Sequence, residues 1–113
     1  MQLEVIEIGS TTVCIRLEGR LDAAGADQIG LRFTAATAAT GRNALIDLAG
    51  VPFIASMGIR LLISSARALN AKGVGMAMFG AQAMVQDLLE QAAVDQIIPL
   101  FATEQLALEK FGA

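Results

Sequence analysis

The residues with the clearest chemical potential lie in the segment 43–59, where one serine follows an apolar run and a turn. The apolar run around Asp47 predicts a strand buried on both faces, and Pro52 predicts that the chain turns after it. Apolar residues at helical spacing over 57–72 then place Ser56 at a helix start, as its predicted N-cap. A hydroxyl there can cap the helix, or it can carry a phosphoryl group, which a helix N-terminus tolerates.

Other reactive constellations are missing from the sequence. The chain has no histidine, so the usual general base and the commonest zinc ligand are absent. The glycines around Gly75 do not match a phosphate-binding pattern and begin a predicted strand instead of following one. Asp22 and Asp47 could converge in space, but without a nucleophile or base each is better explained as a cap or loop anchor. We therefore expect no enzymatic activity, no metal site and no cofactor.

Length and charge narrow the class of protein. A chain of 113 residues predicts a single domain over 1–113. The net charge of −3 argues against a nucleic-acid partner. The single cysteine, Cys14, excludes an internal disulfide, suits a reducing compartment and is expected to be a packed small residue. The longest uncharged stretch, 73–86, is too short to insert into a membrane, and the N-terminus does not resemble a signal peptide. These features predict a soluble, cytoplasmic protein.

The order of predicted elements indicates the fold class. Strands and helices alternate as β-β-α-β-α-β-α-β-α, which predicts an α/β domain with a mostly parallel mixed sheet of about five strands and four helices. An antiparallel hairpin with Gly9 and Ser10 at its turn opens the chain. The predicted strands are 3–8, 12–18, a third around 45–48, 74–79 and 97–101. The predicted helices are 22–40 with Asp22 as cap, 57–72, 81–92 and one capped by Thr103 that ends near Phe111.

One flank of the second predicted helix has the composition of an interface. If Leu61, Leu62 and Leu69 point inward, Ile59 and Ile63 fall on a flank beside Arg60 and Arg67. Apolar residues with arginine at the rim are typical of protein interfaces. Packing of the two isoleucines under a neighbouring helix explains them equally well. The sequence of this helix alone therefore does not distinguish an interface from core packing.

Three segments at fixed spacing resemble the STAS domain, and within it the stand-alone bacterial anti-sigma factor antagonists. They are LEGRLD at 17–22, LIDLAGV at 45–51 and FIASMG at 53–58. The last differs from the family pattern at one position, because Ala55 stands where the family usually has aspartate before the serine. Loss of that acid is expected to alter recognition by a kinase or the rate of phosphorylation.

The resemblance implies a switchable protein partner. Family members of this type bind a serine-kinase anti-sigma factor and so free a sigma factor, until the kinase uses ATP to phosphorylate the serine. A phosphatase later restores the unmodified form. On this chain Ser56 becomes the phospho-acceptor, and a dianion there would be costly at an interface beside Asp22 and Asp47. The implied partner-binding residues are Asp22, Ala23, Phe53, Ile54, Met57, Gly58, Ile59, Arg60 and Ile63.

Three other functions stay open. A constitutive scaffold or interaction subunit, of the stress-complex or lipid-transport type, would use Ser56 only as a helix N-cap, and Ala55 favours this alternative. A small-molecule or nucleotide sensor is disfavoured by the glycine spacing and by the scarcity of aromatic residues. An enzyme is disfavoured most, for lack of a base, metal ligands or a cofactor loop.

Overall fold

The computed structural model describes residues 1–111, within which five strands and four α-helices alternate. The strands are β1 (Gln2–Ile8), β2 (Thr12–Glu18), β3 (Asn43–Gly50), β4 (Met76–Phe79) and β5 (Leu100–Phe101). The helices are α1 (Ala23–Ala36), α2 (Ser56–Ala71), α3 (Ala83–Gln91) and α4 (Glu104–Lys110), with a short 3-10 helix at Val94–Gln96. The predicted order of elements is therefore confirmed.

The strands form one mixed sheet in the order β1-β2-β3-β4-β5. β1 is antiparallel to β2 and the remaining neighbours are parallel, as the sequence predicts. Ile8 pairs with Thr12, so the hairpin connection has three residues, one more than the predicted Gly9-Ser10 turn. Gly9 takes a φ of +64°, a conformation that glycine adopts without steric cost.

The two faces of the sheet carry different cores. The larger core joins α1, α2 and α3 to alternate residues of the parallel strands, with Ile15, Ile46 and Met78 fully buried at its centre. The smaller core lies under α4 and contains Cys14, Leu45, Ala77, Phe79 and Ala107. Because successive strand residues point to opposite faces, Asp47 shares the α4 face with Leu45.

Several element boundaries differ from the predicted ones for local reasons. α1 ends at Ala36 instead of Thr40, since the cap residue Thr37 leaves the helical conformation with φ −113° and ψ −87°, and its hydroxyl donates to the carbonyl oxygen of Phe33 at 2.7 Å. Threonine side chains that bond the backbone in this way compete with helix continuation. β4 begins at Met76, two residues late, and β5 is reduced to two residues. The 3-10 helix before β5 was not predicted, and it begins after Ala93 at a φ of +57°.

Candidate functional site

The first turns of α1 and α2 lie side by side at the carboxyl edge of the parallel strands. An isolated parallel bridge joins Leu21 to Ile54. Its hydrogen bonds run from Leu21 N–H to the Phe53 oxygen at 2.9 Å and from Ala55 N–H to the Leu21 oxygen at 3.0 Å. The bridge fixes the two helix starts relative to each other, at the edge where α/β sheets commonly bind ligands.

α1 begins with an acidic cap, as predicted. Asp22 is extended, and its Oδ1 accepts the N–H of Gly25 at 2.9 Å. Arg20 Nε donates to its other carboxylate oxygen at 3.4 Å. The Gly25 N–H chiefly, and Arg20 in addition, hold the pKa of Asp22 below its usual value. This carboxylate is thus a fixed negative charge beside the start of α2.

α2 begins differently from the prediction. Ala55 occupies the cap position with φ −129° and ψ 177°, and no side-chain capping bond is made at this end among the described residues. Ser56 is the first helical residue and is exposed, so the prediction that it is the N-cap is wrong. The reason is tertiary, since the bridge to Leu21 holds Ala55 in the extended conformation that a cap requires. The Ser56 hydroxyl consequently faces solvent at the helix start.

Two predicted partner-binding residues are buried instead. Ile54 is only 2% exposed and belongs to the larger core. Gly58 is buried against Leu21, and a Cβ at this position would lie 2.3 Å from the Leu21 carbonyl oxygen. Its lack of a side chain therefore admits the Leu21 backbone of the protein itself. Both residues lie beneath the exposed part of the site, and their direct contact with a partner stays a prediction.

The other predicted site residues reach the surface. Ala23, Met57 and Arg60 are exposed, whereas Phe53, Ile59 and Ile63 are half-buried, as Asp22 is. The Arg20 guanidinium lies over the Phe53 ring, 4.4 Å from its centroid. Sequence reasoning did not single out Arg20, although it lies within the segment 17–22 that carries the family resemblance.

Two grooves flank α2. The α1–α2 groove encloses about 620 Å³ and is lined by Ala23, Ala24, Ala26, Asp27, Met57, Arg60, Leu61 and Ser64. The arginine groove on the other flank encloses about 450 Å³ and is lined by Ser56, Ile59, Arg60, Ile63, Ser64, Arg67 and Ala92. Ile59 and Ile63 both pack against the larger core and line the arginine groove, so the two explanations of this flank are compatible. Leu61, predicted to point inward, packs against the larger core and is half-buried, so that it also lines the α1–α2 groove.

Asp47 does not converge with Asp22, an arrangement that the sequence had left open. It lies on the α4 face of the sheet, whereas Asp22 caps a helix on the opposite face. Its Oδ2 accepts from Arg16 Nε at 3.2 Å and its Oδ1 accepts the Ala49 N–H at 3.0 Å. Asp47 therefore anchors the end of β3, and Asp22, not Asp47, places its carboxylate at the helix starts.

No group of three or more His, Cys, Asp or Glu side chains suited to a metal ion occurs in residues 1–111. Over the same residues, none of the helices has both the length and the apolar character that crossing a membrane requires. The surface of this edge carries the exposed Ser56, apolar side chains such as Met57, the Asp22 carboxylate and arginines, a composition that suits contact with another protein.

The family model of the STAS domain matches residues 2–107. The chain belongs to the STAS domain family. Among solved structures, this STAS domain is similar to an anti-sigma-factor antagonist (STAS) domain protein from Planctomyces limnophilus, with 26% identity, TM-score 0.87 and 98% of both chains covered.

Two further structures share the fold at lower identity. An anti-sigma factor antagonist from Mycobacterium paratuberculosis has 22% identity and TM-score 0.83, over 96% of this chain and 92% of that one. The phosphorylated form of SpoIIAA, a Bacillus cell fate determinant, has 20% identity and TM-score 0.72, over 97% of this chain and 99% of that one.

Proposed function

We propose that this STAS domain is an anti-sigma factor antagonist that binds a serine-kinase anti-sigma factor, frees a sigma factor and is switched off by phosphorylation of Ser56. The observation that carries the proposal is that Ser56, at the carboxyl edge of the sheet, is exposed and does not serve as the helix cap. Membership of the STAS family and similarity to anti-sigma factor antagonists support it. A relative of the same fold is known in a phosphorylated form.

The partner-binding surface in this proposal surrounds Ser56 on both flanks of α2. Met57 is 45% exposed and offers apolar area in the α1–α2 groove. Arg60 lines both grooves and supplies charge at their shared rim. Asp22, Ala23, Phe53, Ile59 and Ile63 complete the surface.

Phosphorylation would change this surface by charge and bulk. The kinase transfers the γ-phosphoryl group of ATP to Ser56 Oγ, so an O–P bond forms, the bond to the ADP leaving group breaks and the hydroxyl proton is released. The product carries about −1.5 to −2 charges at pH 7. Burying such a charge without compensation, beside the Asp22 carboxylate, costs several kcal/mol. About 5.5 kcal/mol is enough to move a two-state equilibrium from 1:99 to 99:1, so a single modification suffices to release the partner.

One part of the scaffold alternative does not fit this structure. It assigns Ser56 the role of helix N-cap, but Ala55 occupies that position. An exposed serine without a capping role is a better acceptor than one whose oxygen already binds the backbone. We therefore propose a binding module without enzymatic activity of its own, which a phosphatase returns to the unmodified state.

The test is labelling by the cognate kinase. Incubation with the kinase and ATP should add one phosphoryl group, and Ser56→Ala should abolish labelling while binding to the kinase persists. Ser64→Ala is the matched control, because Ser64 is an exposed serine two turns along the same helix that lines both grooves. Labelling of the Ser56→Ala variant at the wild-type level would show that the acceptor is misassigned.

A further inference from the structure

The arginine groove carries positive charge that the protein does not neutralise internally. Arg60 and Arg67 line it together with Ser56. The salt bridges found within residues 1–111 involve Arg16, Arg20 and Arg42, and none involves these two side chains. No acidic residue lines the groove. In a protein of net charge −3, an acid-free groove with two uncommitted guanidinium groups is suited to an anion.

The helix geometry distinguishes the two arginines. Arg60 follows Ser56 by four residues on α2, a spacing that brings Cβ atoms within about 5–6 Å. A helical side chain leans toward the N-terminus and covers the preceding turn, so the Arg60 side chain extends toward Ser56. Arg67 follows Ser56 by eleven residues, or about 16 Å along the helix axis. Of these two arginines, only Arg60 is within reach of a group on the Ser56 oxygen.

We propose that Arg60 is the intramolecular counter-ion of a phosphoryl group on Ser56. This inference rests on the proposed function in that it concerns the same acceptor residue. A negative group that precedes a positive one by four residues is the favourable orientation for such a pair. A guanidinium binds phosphate oxygens through two parallel N–H bonds. Phosphorylation then withdraws Arg60 from the surface that the unmodified protein presents to its partner.

Other charged groups near Ser56 and Arg60 would also act on a phosphoryl group, and the test must separate their effect from that of Arg60. Arg60 also lines the α1–α2 groove, where Asp27 is the acidic lining residue, and Asp22 caps the neighbouring helix. Backbone N–H groups at the start of α2 would attract the phosphate as well. Substitution of an arginine leaves both Asp22 and these N–H groups unchanged, so the difference between variants reports the arginine alone.

The experiment measures the second pKa of phosphoserine by phosphorus NMR. Phosphoserine is installed at position 56 by genetically encoded incorporation, which needs no kinase, in the otherwise unchanged chain and in the Arg60→Gln, Arg60→Lys and Arg67→Gln variants. Arg60 should lower this pKa below its usual value near 6, and Arg60→Gln should raise it by about 0.2 to 0.4 pH unit. Arg60→Lys should retain most of the lowering, and Arg67→Gln should change it by less than half as much.

The outcomes of this experiment are independent of the kinase-labelling test of the proposed function. Equal pKa values in all variants, or equal shifts for Arg60→Gln and Arg67→Gln, would overturn the pairing even if a kinase modifies Ser56. A specific shift for Arg60→Gln that shrinks in 1 M salt, where exposed charges are screened over about 3 Å, would support it even if no kinase is found. A thermal unfolding scan of each variant verifies that the chain is folded at the temperature of the measurement.

Discussion

At a helix start, one polar residue can both cap the helix and offer a hydroxyl for modification. In α2 these two roles are separated, because Ala55 occupies the cap position and Ser56 carries the hydroxyl. The cap position normally supplies an oxygen for the free N–H groups of the first turn. Asp22 does this for α1, where it binds the Gly25 N–H. In α2 the cap is alanine, which offers no acceptor, and the serine lies one residue further along. The first-turn N–H groups of α2 therefore stay available to an incoming anion.

An acidic residue at position 55 should stabilise the protein. Ala55→Asp places a carboxylate in an extended cap conformation that already suits it, where it can accept the N–H of Gly58. We expect the free energy of unfolding in urea to rise by about 1 kcal/mol. Ala55→Asn should give much of the same gain, and Ala55→Val, which has no acceptor, should give none. Equal stability of the Asp and Val variants would contradict the assignment of position 55 as the cap.

At the scale of elements, α1 and α2 begin in the same way. Each has a glycine as its third helical residue, Gly25 in α1 and Gly58 in α2. A Cβ on Gly25 would lie 2.1 Å from the Arg20 carbonyl oxygen, and one on Gly58 would lie 2.3 Å from that of Leu21. Both helices therefore approach the same stretch of backbone, residues 20–21, which follows β2. This close approach is what brings the exposed residues of the two helix starts onto one surface.

Glycine-to-alanine substitutions should have opposite effects at two helical positions. Gly58→Ala forces a methyl group against the Leu21 backbone, so the helix must shift, and we expect a loss of about 1 to 3 kcal/mol in the free energy of unfolding. Gly30→Ala in α1 adds a methyl group with no atom within 4 Å, and it should stabilise by about 0.5 to 1 kcal/mol. Chemical denaturation of the two variants measures both effects. A Gly58→Ala variant as stable as Gly30→Ala would show that the contact with Leu21 does not constrain α2.

The sequence predicted those elements that depend on local pattern. The alternation of Val13, Ile15 and Leu17 predicted β2 with its observed bounds. Thr103 was predicted to cap α4, and its hydroxyl accepts the Leu106 N–H at 3.2 Å. These features follow from neighbouring residues, so local reasoning is sufficient for them.

The errors at the candidate site come from contacts between distant segments. Ser56 is a plausible cap by residue type, but the bridge between Leu21 and Ile54 moves the cap to Ala55. The same bridge buries Ile54, which the family motif alone presents as part of the surface. Convergence of Asp47 with Asp22 was left open because each lies at the edge of an element, yet the strand register turns Asp47 to the α4 face. To avoid these errors, one would need to know which segments of the chain pair with each other in the folded sheet.

At the scale of the whole molecule, the two faces of the sheet differ in what covers them and in their distance from the candidate site. One face holds the larger core and the helices that carry the candidate site. The other is covered by the short helix α4 and is tied across its strands by Arg16, which binds both Glu4 and Asp47. Cys14 lies on this second face with 2% exposure. It therefore reports on the integrity of the sheet at a distance from Ser56.

Cys14 should be unreactive in the native protein. Burial chiefly, with the nearby charge of Glu104 in addition, raises the pKa of its thiol to about 11, so at pH 8 only about one thiol in a thousand is ionised. We expect an aromatic disulfide reagent to label it at a rate limited by unfolding, rising with urea in parallel with the loss of structure seen by circular dichroism.

An exposed cysteine in the same protein provides the matched control. The double variant Cys14→Ala, Ser10→Cys moves the thiol to the exposed hairpin turn, where labelling should be fast in native buffer and nearly independent of urea. Because the reagent, the pH and the fold are the same, the ratio of the two rates isolates the effect of burial on the thiol. Native labelling of Cys14 as fast as that of the hairpin cysteine would mean that the second face of the sheet opens freely, and that α4 does not seal it.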